Sequence, residues 1–406
     1  MQLEKGIVGK IVWGLLFLFS LNLFNQSSLI LMLLFGFIVI MDKGKIYYCS
    51  KDSMFYLLII FAVTFFLFAA QNGISTGISA FGCPMSYYIG KRMITKQNEL
   101  QIKSIAILLV TGMTCHAFVN FFYELIRFGG INSGGTHYDF FSLGAVTSAT
   151  GAATYLTLFA GVIFYIILES DSLKKWIVGL IYIVIAFAYD MILGGRSFFA
   201  LTAAAFVVSM IIYVLYQETT KEKIVAFRKM LLVFVVLFVV GMIVYTVYKE
   251  EITNIFESTY LFHRISYANI AESQDLFSFF KTTDRGDVRN QYIKLMWDYP
   301  FGGRKILAKV GLYAHELWLD IFDSAGIIPY VLMWVISIQI TVNNIRYVLC
   351  CQTTLKNRVL IVGITVAVTV QFFFEPILTG CRALLFSYFL ICGMVTRQMK
   401  FFKEEV

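Results

Sequence analysis

Apolar residues come along this chain in long unbroken runs separated by short polar turns. The runs fall at 11–24, 28–41, 54–70, 74–90, 104–123, 146–168, 176–193, 198–216, 230–248, 326–345, 358–378 and 380–396. A bilayer crossing needs about 20 predominantly apolar residues. Continuous runs mark helices, whereas membrane barrels read as weak alternation. The pattern predicts an all-α, polytopic transmembrane bundle of about 12 spans, one integral membrane domain over residues 1–406. The first two runs are short, and the polar turn from Asn22 to Ser28 makes them a tight hairpin. The fourth is the least regular, with Asn72, Gly73, Gly77, Gly82 and Pro84 inside it. Lys5 and Lys10 precede the first run as in a signal peptide. No small-residue cleavage site follows, so the run is read as the first span.

Charge supports keeping the fourth run as a span. Lys and Arg concentrate in short cytoplasmic loops. With twelve spans and both termini in the cytoplasm, Lys43, Lys45, Lys51, Lys91, Arg92, Lys174, Lys175, Lys356 and Arg358 all fall inside. The short outer loops then keep Arg127, Arg196 and Arg382. Dropping the fourth span destroys that asymmetry. The same topology puts a long hydrophilic stretch, residues 249–325, outside, between the ninth and tenth spans. It is too long for a plain connector. Asp287 can cap a helix in which Val288, Tyr292, Leu295, Met296 and Tyr299 recur at helical spacing, and Pro300 to Gly303 end it. Its apolar stripe is expected on the bundle or the membrane surface. No internal repeat is visible.

Composition narrows the classes. The chain is 59% apolar, 17% aromatic and 14% charged, with 4 prolines in 406 residues. This excludes a disordered chain, a secreted disulfide scaffold and a soluble nucleic-acid binder. The formal net charge of +8 is carried by the cytoplasmic segments, so it reports topology rather than a partner. The cysteines (Cys49, Cys83, Cys115, Cys350, Cys351, Cys381, Cys392) show no metal-type spacing and are expected to be reduced thiols.

The outer arginines are the first candidate chemistry. Arg196 lies in Gly194-Gly195-Arg196-Ser197, a turn so short that its guanidinium must sit near the membrane surface, at a helix N-terminus. That combination suits an anion. Arg382 stands just before the last span and Arg127 just after the fifth. Each could equally snorkel to lipid phosphate or pair with an acid; Asp190 is near Arg196 and Glu375 near Arg382. The second constellation lies in the outer stretch: Arg285, Asp287, Arg289 and Tyr292, then Trp297 to Gly303, then Tyr313-Ala314-His315-Glu316 and Asp320, Asp323 and Gly326. His315 is a natural general base on a hydroxyl. Glu316, Asp320 and Asp323 form an acidic stripe, read either as a solvated face or as a surface for sugar hydroxyls or arginines. His116 is expected to be a hydrogen-bonded buried histidine; His137 and His263 receive no role.

These motifs resemble the O-antigen polymerase and O-antigen ligase superfamily of bacterial membrane glycosyltransferases. Gly194 to Ser197 is similar to its Gly-Arg motif, and Arg289 to Gly303 to its Arg…Trp…Pro-x-Gly segment. Tyr313-Ala314-His315 with Leu319 and Gly326-Ile327-Ile328 is similar to its Tyr-Ala-His…Gly-Ile-Ile signature. Glu316 stands where that family has Asn, and Pro329 where it has Gly. The resemblance covers residues 190–340. It implies a polyprenyl-diphosphate-linked oligosaccharide as substrate, with Arg196 and Arg289 on the pyrophosphate and His315 at the acceptor hydroxyl. It also implies flippase and chain-length regulator proteins as partners in the bacterial cytoplasmic membrane. Arg127, Arg382, Arg285, Tyr292 and Glu316 are added as candidate substrate contacts. No cofactor is expected and no metal, since Asp320-Ile321-Phe322-Asp323 lacks DxD spacing. The expected reaction is inverting, metal-independent glycosyl transfer that polymerises repeat units. A ligase of the same superfamily, a flippase or transporter of lipid-linked sugars, and a non-enzymatic assembly protein are the competing readings.

Overall fold

The computed structural model describes residues 7–42, 52–94, 99–128, 137–170, 172–194, 197–228, 246 and 285–404. It is mostly helical. In chain order the helices are α1 (Ile7–Ser20), α2 (Ser27–Met41), α3 (Ser53–Ala69), α4 (Ile74–Ser79), α5 (Gly82–Met93), α6 (Glu99–Phe128), α7 (Ala149–Thr154), α8 (Thr157–Glu169), α9 (Leu173–Leu193) and α10 (Ser197–Leu215). From Arg285 onward come α11 (Arg285–Leu295), α12 (Lys305–Val310), α13 (Leu317–Ala325), α14 (Ile327–Leu349), α15 (Leu355–Gln371), α16 (Ile377–Gly380) and α17 (Arg382–Glu404). The all-α expectation is corrected at one place. Strands β1 (His137–Asp139) and β2 (Ala145–Thr147) pair antiparallel, with Tyr138 opposite Val146.

Six helices among the described residues are long and apolar enough to cross a membrane: Ser53–Asn72, Gln101–Arg127, Ala149–Glu169, Leu173–Leu193, Ser197–Leu215 and Ile327–Leu349. Two shorter apolar helices form the N-terminal hairpin. The expected fourth run is broken into α4 and α5, and the expected run 230–248 lies outside the described residues but for Thr246. The spans α9, α10 and α14 keep wide apolar faces exposed, including Trp176, Ile181, Val184, Val207 and Ile338. Such faces suit lipid, where no hydrophobic force draws helices together and close packing of small residues must do so. That packing is present. A side chain at Gly90 would collide with the Leu390 backbone, and one at Gly393 with the Tyr87 backbone, so α5 and α17 touch main chain to main chain. Gly161 and Gly363 lock α8 to α15 in the same way.

Polar contacts sort the turns into two ends. At the basic end, Arg92 pairs with Asp42, Lys91 with Asp52, and Glu169 with both Lys103 and Lys356. Arg358 lies over the Tyr216 ring, 4.0 Å from its centroid. At the opposite loop end, His116 meets the Leu21 carbonyl at 2.8 Å and the Asn72 amide donates to the Ser324 carbonyl at 3.0 Å. The Leu317 N–H donates to the Phe372 carbonyl there at 2.8 Å. The part of the 249–325 stretch from Arg285 onward therefore packs on the loop end.

Candidate functional site

Two motif segments, residues 300–304 and 323–327, meet at the loop end. The Ile327 N–H donates to the Pro300 carbonyl at 2.9 Å, the Gly303 N–H to Ser324 at 3.3 Å, and the Arg304 N–H to Asp323 at 2.8 Å. This seam needs glycine at two places. Gly302 has φ +72° and a side chain there would strike the Ala325 and Gly326 nitrogens; Gly326 has φ +82° and faces the Pro300 carbonyl. Any β-carbon at either position would pry the strands of the seam apart.

A buried charge cluster sits beneath the seam. Arg304 reaches Asp320 at 2.6 Å and Asp323 at 3.4 Å. Asp320 also accepts from the Thr379 hydroxyl at 2.8 Å, and Asp323 from the Ile306 and Leu307 N–H groups at 3.0 and 3.2 Å. The solvated-face reading of the acidic stripe is thereby corrected: Asp320 and Asp323 are 2% and 0% exposed. The arginine-pairing alternative is the one realised. Burial raises both carboxyl pKa values, opposed by Arg304; for Asp320 Thr379 also opposes it, and for Asp323 the backbone donors do. Burial lowers the Arg304 pKa, but the two carboxylates outweigh it and the net shift is upward.

Above this frame lie the residues expected to act. α11 lays Val288 and Tyr292 on Ile306, Ala314, Leu319 and Phe322, so its apolar stripe faces the platform of α12 and α13. Arg289 projects from the other side and brings its Nε within 3.4 Å of Glu316; the arginine side chain is 51% exposed and the glutamate 7%. Burial raises the Glu316 pKa against the pull of Arg289. His315 is half-buried next to it, with φ +52°. A left-handed histidine costs of order 1–3 kcal/mol and persists only where its surroundings impose it. Here buried Ala314 and Glu316 flank it and Leu317 is tied to Phe372. α13 starts after Glu316, so His315 precedes the helix rather than opening it. Trp318 stacks on Trp334 at 4.0 Å and donates to Ser337, fixing α13 against α14.

The other expected residues are dispersed around this end. Arg285 is the first residue of α11. Tyr292 is buried, its hydroxyl donating to the Leu312 carbonyl at 3.0 Å, and burial raises its pKa. It is therefore a packing residue of the platform. Arg382 is half-buried and its Nε donates to the Leu378 carbonyl at 3.4 Å. Arg127 takes an exposed position 3.7 Å over the Tyr138 ring, beside the Tyr123 hydroxyl at 3.0 Å. Arg196 and His263 lie outside the described residues, so the expected Asp190–Arg196 pair does too. Among the described residues no three His, Cys, Asp or Glu side chains are gathered as a metal site.

A second polar group escaped the sequence reading. His116 stacks on Tyr155 at 3.7 Å and approaches Asp139 at 3.4 Å; His137 approaches Glu124 at 3.4 Å. Asn120 holds both Asp139 and the Phe140 N–H. The signal was available: His116, Asn120, Glu124 and Arg127 fall on one stripe of an otherwise apolar helix. Tyr155 also hydrogen-bonds Cys381, and Thr379 reaches Asp320. The segment 377–382 thus joins the α6 group to the frame beneath His315. No family model and no curated protein matches this chain.

Proposed function

We propose that this chain is a membrane glycosyltransferase that polymerises polyprenyl-diphosphate-linked oligosaccharide repeat units on the outer face of the bacterial cytoplasmic membrane, within a bundle of about 12 spans with both termini inside. The observation that carries the reading is the meeting of Arg289, Glu316 and the left-handed His315 at one end of a membrane bundle. In the proposed reaction the acceptor hydroxyl gives its proton to His315 and its oxygen bonds to the donor's anomeric carbon. The bond from that carbon to the diphosphate breaks, and the lipid diphosphate leaves with the electron pair. Attack opposite the leaving group inverts the centre. Arg196 and Arg289 neutralise the growing charge on the diphosphate, the kind of electrostatic stabilisation that is often the largest catalytic contribution. Arg127, Arg285 and Arg382 add positive potential around the same end, and Glu316 orients Arg289. No cofactor or metal takes part.

The test uses purified protein in bilayers with lipid-diphosphate repeat units. The wild type should extend chains, while His315→Ala and Arg289→Ala should leave single units although both insert normally. Chain extension at wild-type rate by both variants would end the proposal. One observation favours the transport reading instead. Asp190 is wholly buried within α9, and its carboxylate has no hydrogen-bond partner among the described residues. An acid inside a span is by default functional and often marks a substrate or proton path. Loss of lipid-linked sugar flipping in Asp190→Asn, together with no chain extension by the purified wild type, would support a flippase.

A further inference from the structure

The basic end carries a cavity of about 220 Å³ between the last turns of α14 and α17, lined by Asn343, Arg346, Thr396, Met399, Lys400 and Lys403. The cavity wall is mainly the apolar parts of these side chains, and three of the six carry a cation, which suits an anionic head beside hydrocarbon. Glu404 offsets only part of this charge, lying 3.6 Å from Lys400, with both side chains more than half exposed. The surface beside the cavity is apolar. Ile338, Val342, Ile345 and Leu349 form an exposed stripe along α14, and Val342 and Leu349 flank Arg346 one turn to either side. Cations at the rim of a lipid-facing apolar stripe fit a molecule with a charged head and hydrocarbon tails, and free phosphate would leave the stripe unused. We propose that this cavity binds the phosphodiester headgroup of an anionic phospholipid from the leaflet at the basic end, its acyl chains lying along α14. Basic pockets between membrane helices on the cytoplasmic side bind such headgroups. The site lies at the opposite end from the proposed chemistry and does not depend on it.

The test is lipid retention by the full chain. Protein is extracted from bilayers of phosphatidylglycerol and phosphatidylcholine, and bound lipid is counted by native mass spectrometry. The wild type should retain phosphatidylglycerol in preference to phosphatidylcholine. The triple variant Arg346→Gln, Lys400→Gln, Lys403→Gln should lose that preference roughly tenfold, since each surface cation contributes appreciably to anionic-lipid attraction. A control triple, Lys174→Gln, Lys175→Gln, Lys221→Gln, removes three exposed cations from the same end and should keep it. Equal loss in both triples means a diffuse charge effect and overturns the proposal. Cations that merely complement the carbonyls at their helix ends would show no lipid preference at all, which also overturns it. Displacement of the lipid by inorganic phosphate would assign the cavity to a free anion instead and likewise overturn it. Arg346→Lys, which keeps the charge, should retain the lipid.

Discussion

Removing Arg304 should expose how the frame beneath His315 is held. Its guanidinium is the cation for two carboxylates that are almost fully buried. In Arg304→Ala, Asp320 keeps only the Thr379 hydroxyl, and Asp323 keeps the two N–H groups that start α12. Breaking a buried pair by deleting one partner typically costs about 3–5 kcal/mol, because the remaining charge stays desolvated. A value toward the upper end is expected, since one deletion strands two acids. The variant should also acquire a pH dependence. Burial already raises both aspartate pKa values, and Arg304 opposes that rise. Without it the values climb further. A folded-state carboxyl that holds its proton more tightly than the unfolded chain costs stability above its raised pKa. That cost is returned as pH falls through the raised value toward the ordinary aspartate range. Thermal unfolding in detergent should therefore show Arg304→Ala melting well below wild type at neutral pH, with the gap narrowing on mild acidification. Adding Asp320→Asn should recover part of the loss. A melting point within error of wild type at neutral pH, or a gap that widens in acid, would refute the reasoning.

Other outcomes follow from single contacts. Gly90→Val places a branched side chain against the Leu390 backbone; it should cost more than the ~1–3 kcal/mol of ordinary overpacking and reduce monodisperse yield in size-exclusion chromatography. Glu316→Gln removes the carboxylate facing Arg289. On the proposed function this should slow glycan extension more than it lowers the melting temperature, and it should abolish any loss of rate caused by Glu316 taking up a proton as pH falls toward its raised pKa. His116→Ala deletes a ring stacked on Tyr155 and Phe141 and should cost about 2–4 kcal/mol by cavity formation, read as a lower melting temperature. Topology can be checked by labelling. With the other cysteines replaced, exposed Cys351 should react with an impermeant maleimide only after permeabilisation, whereas Leu143→Cys should react in intact cells.

Much of the bundle was legible because lipid imposes a simple rule. Apolar runs must be helical where no water can satisfy the backbone, so α1 to α3, α6, α8 to α10 and α14 follow the hydropathy. The break between α4 and α5 at Ala80-Phe81 did not show, because the same rule and the charge balance both read 74–90 as one span. Gly90 and Gly393 serve contact between helices hundreds of residues apart in sequence, and nothing local to either residue announces the partner. The acidic stripe keeps two readings in the sequence for a related reason. Periodicity places Glu316, Asp320 and Asp323 on a face, but whether that face meets water or Arg304 depends on how the 300–304 turn folds back. The hairpin 137–147 was missed because its strands are three residues each, too short to show alternation. Arg196, expected on the pyrophosphate, falls outside the described residues.

The two ends of the molecule use cations differently, and the difference bears on function. At the basic end, Lys91, Arg92, Lys103 and Lys356 each meet an acid from another helix. Pairs of that kind fasten neighbouring spans and leave those four cations little charge for a ligand. Among the described cations of the loop end, only Arg304 is neutralised so fully. Arg289 lies half exposed at 3.4 Å from one carboxylate, Arg127 rests on aromatic rings, and Arg382 donates to a carbonyl. A diphosphate offers bidentate acceptors that guanidinium forks match better than these contacts do. It could therefore take over Arg289 without breaking the frame, because the frame is held by a different arginine. On the proposed function, holding one arginine firmly and leaving others loosely engaged is what a doubly charged, leaving anion requires: rigid support beneath and exchangeable charge above.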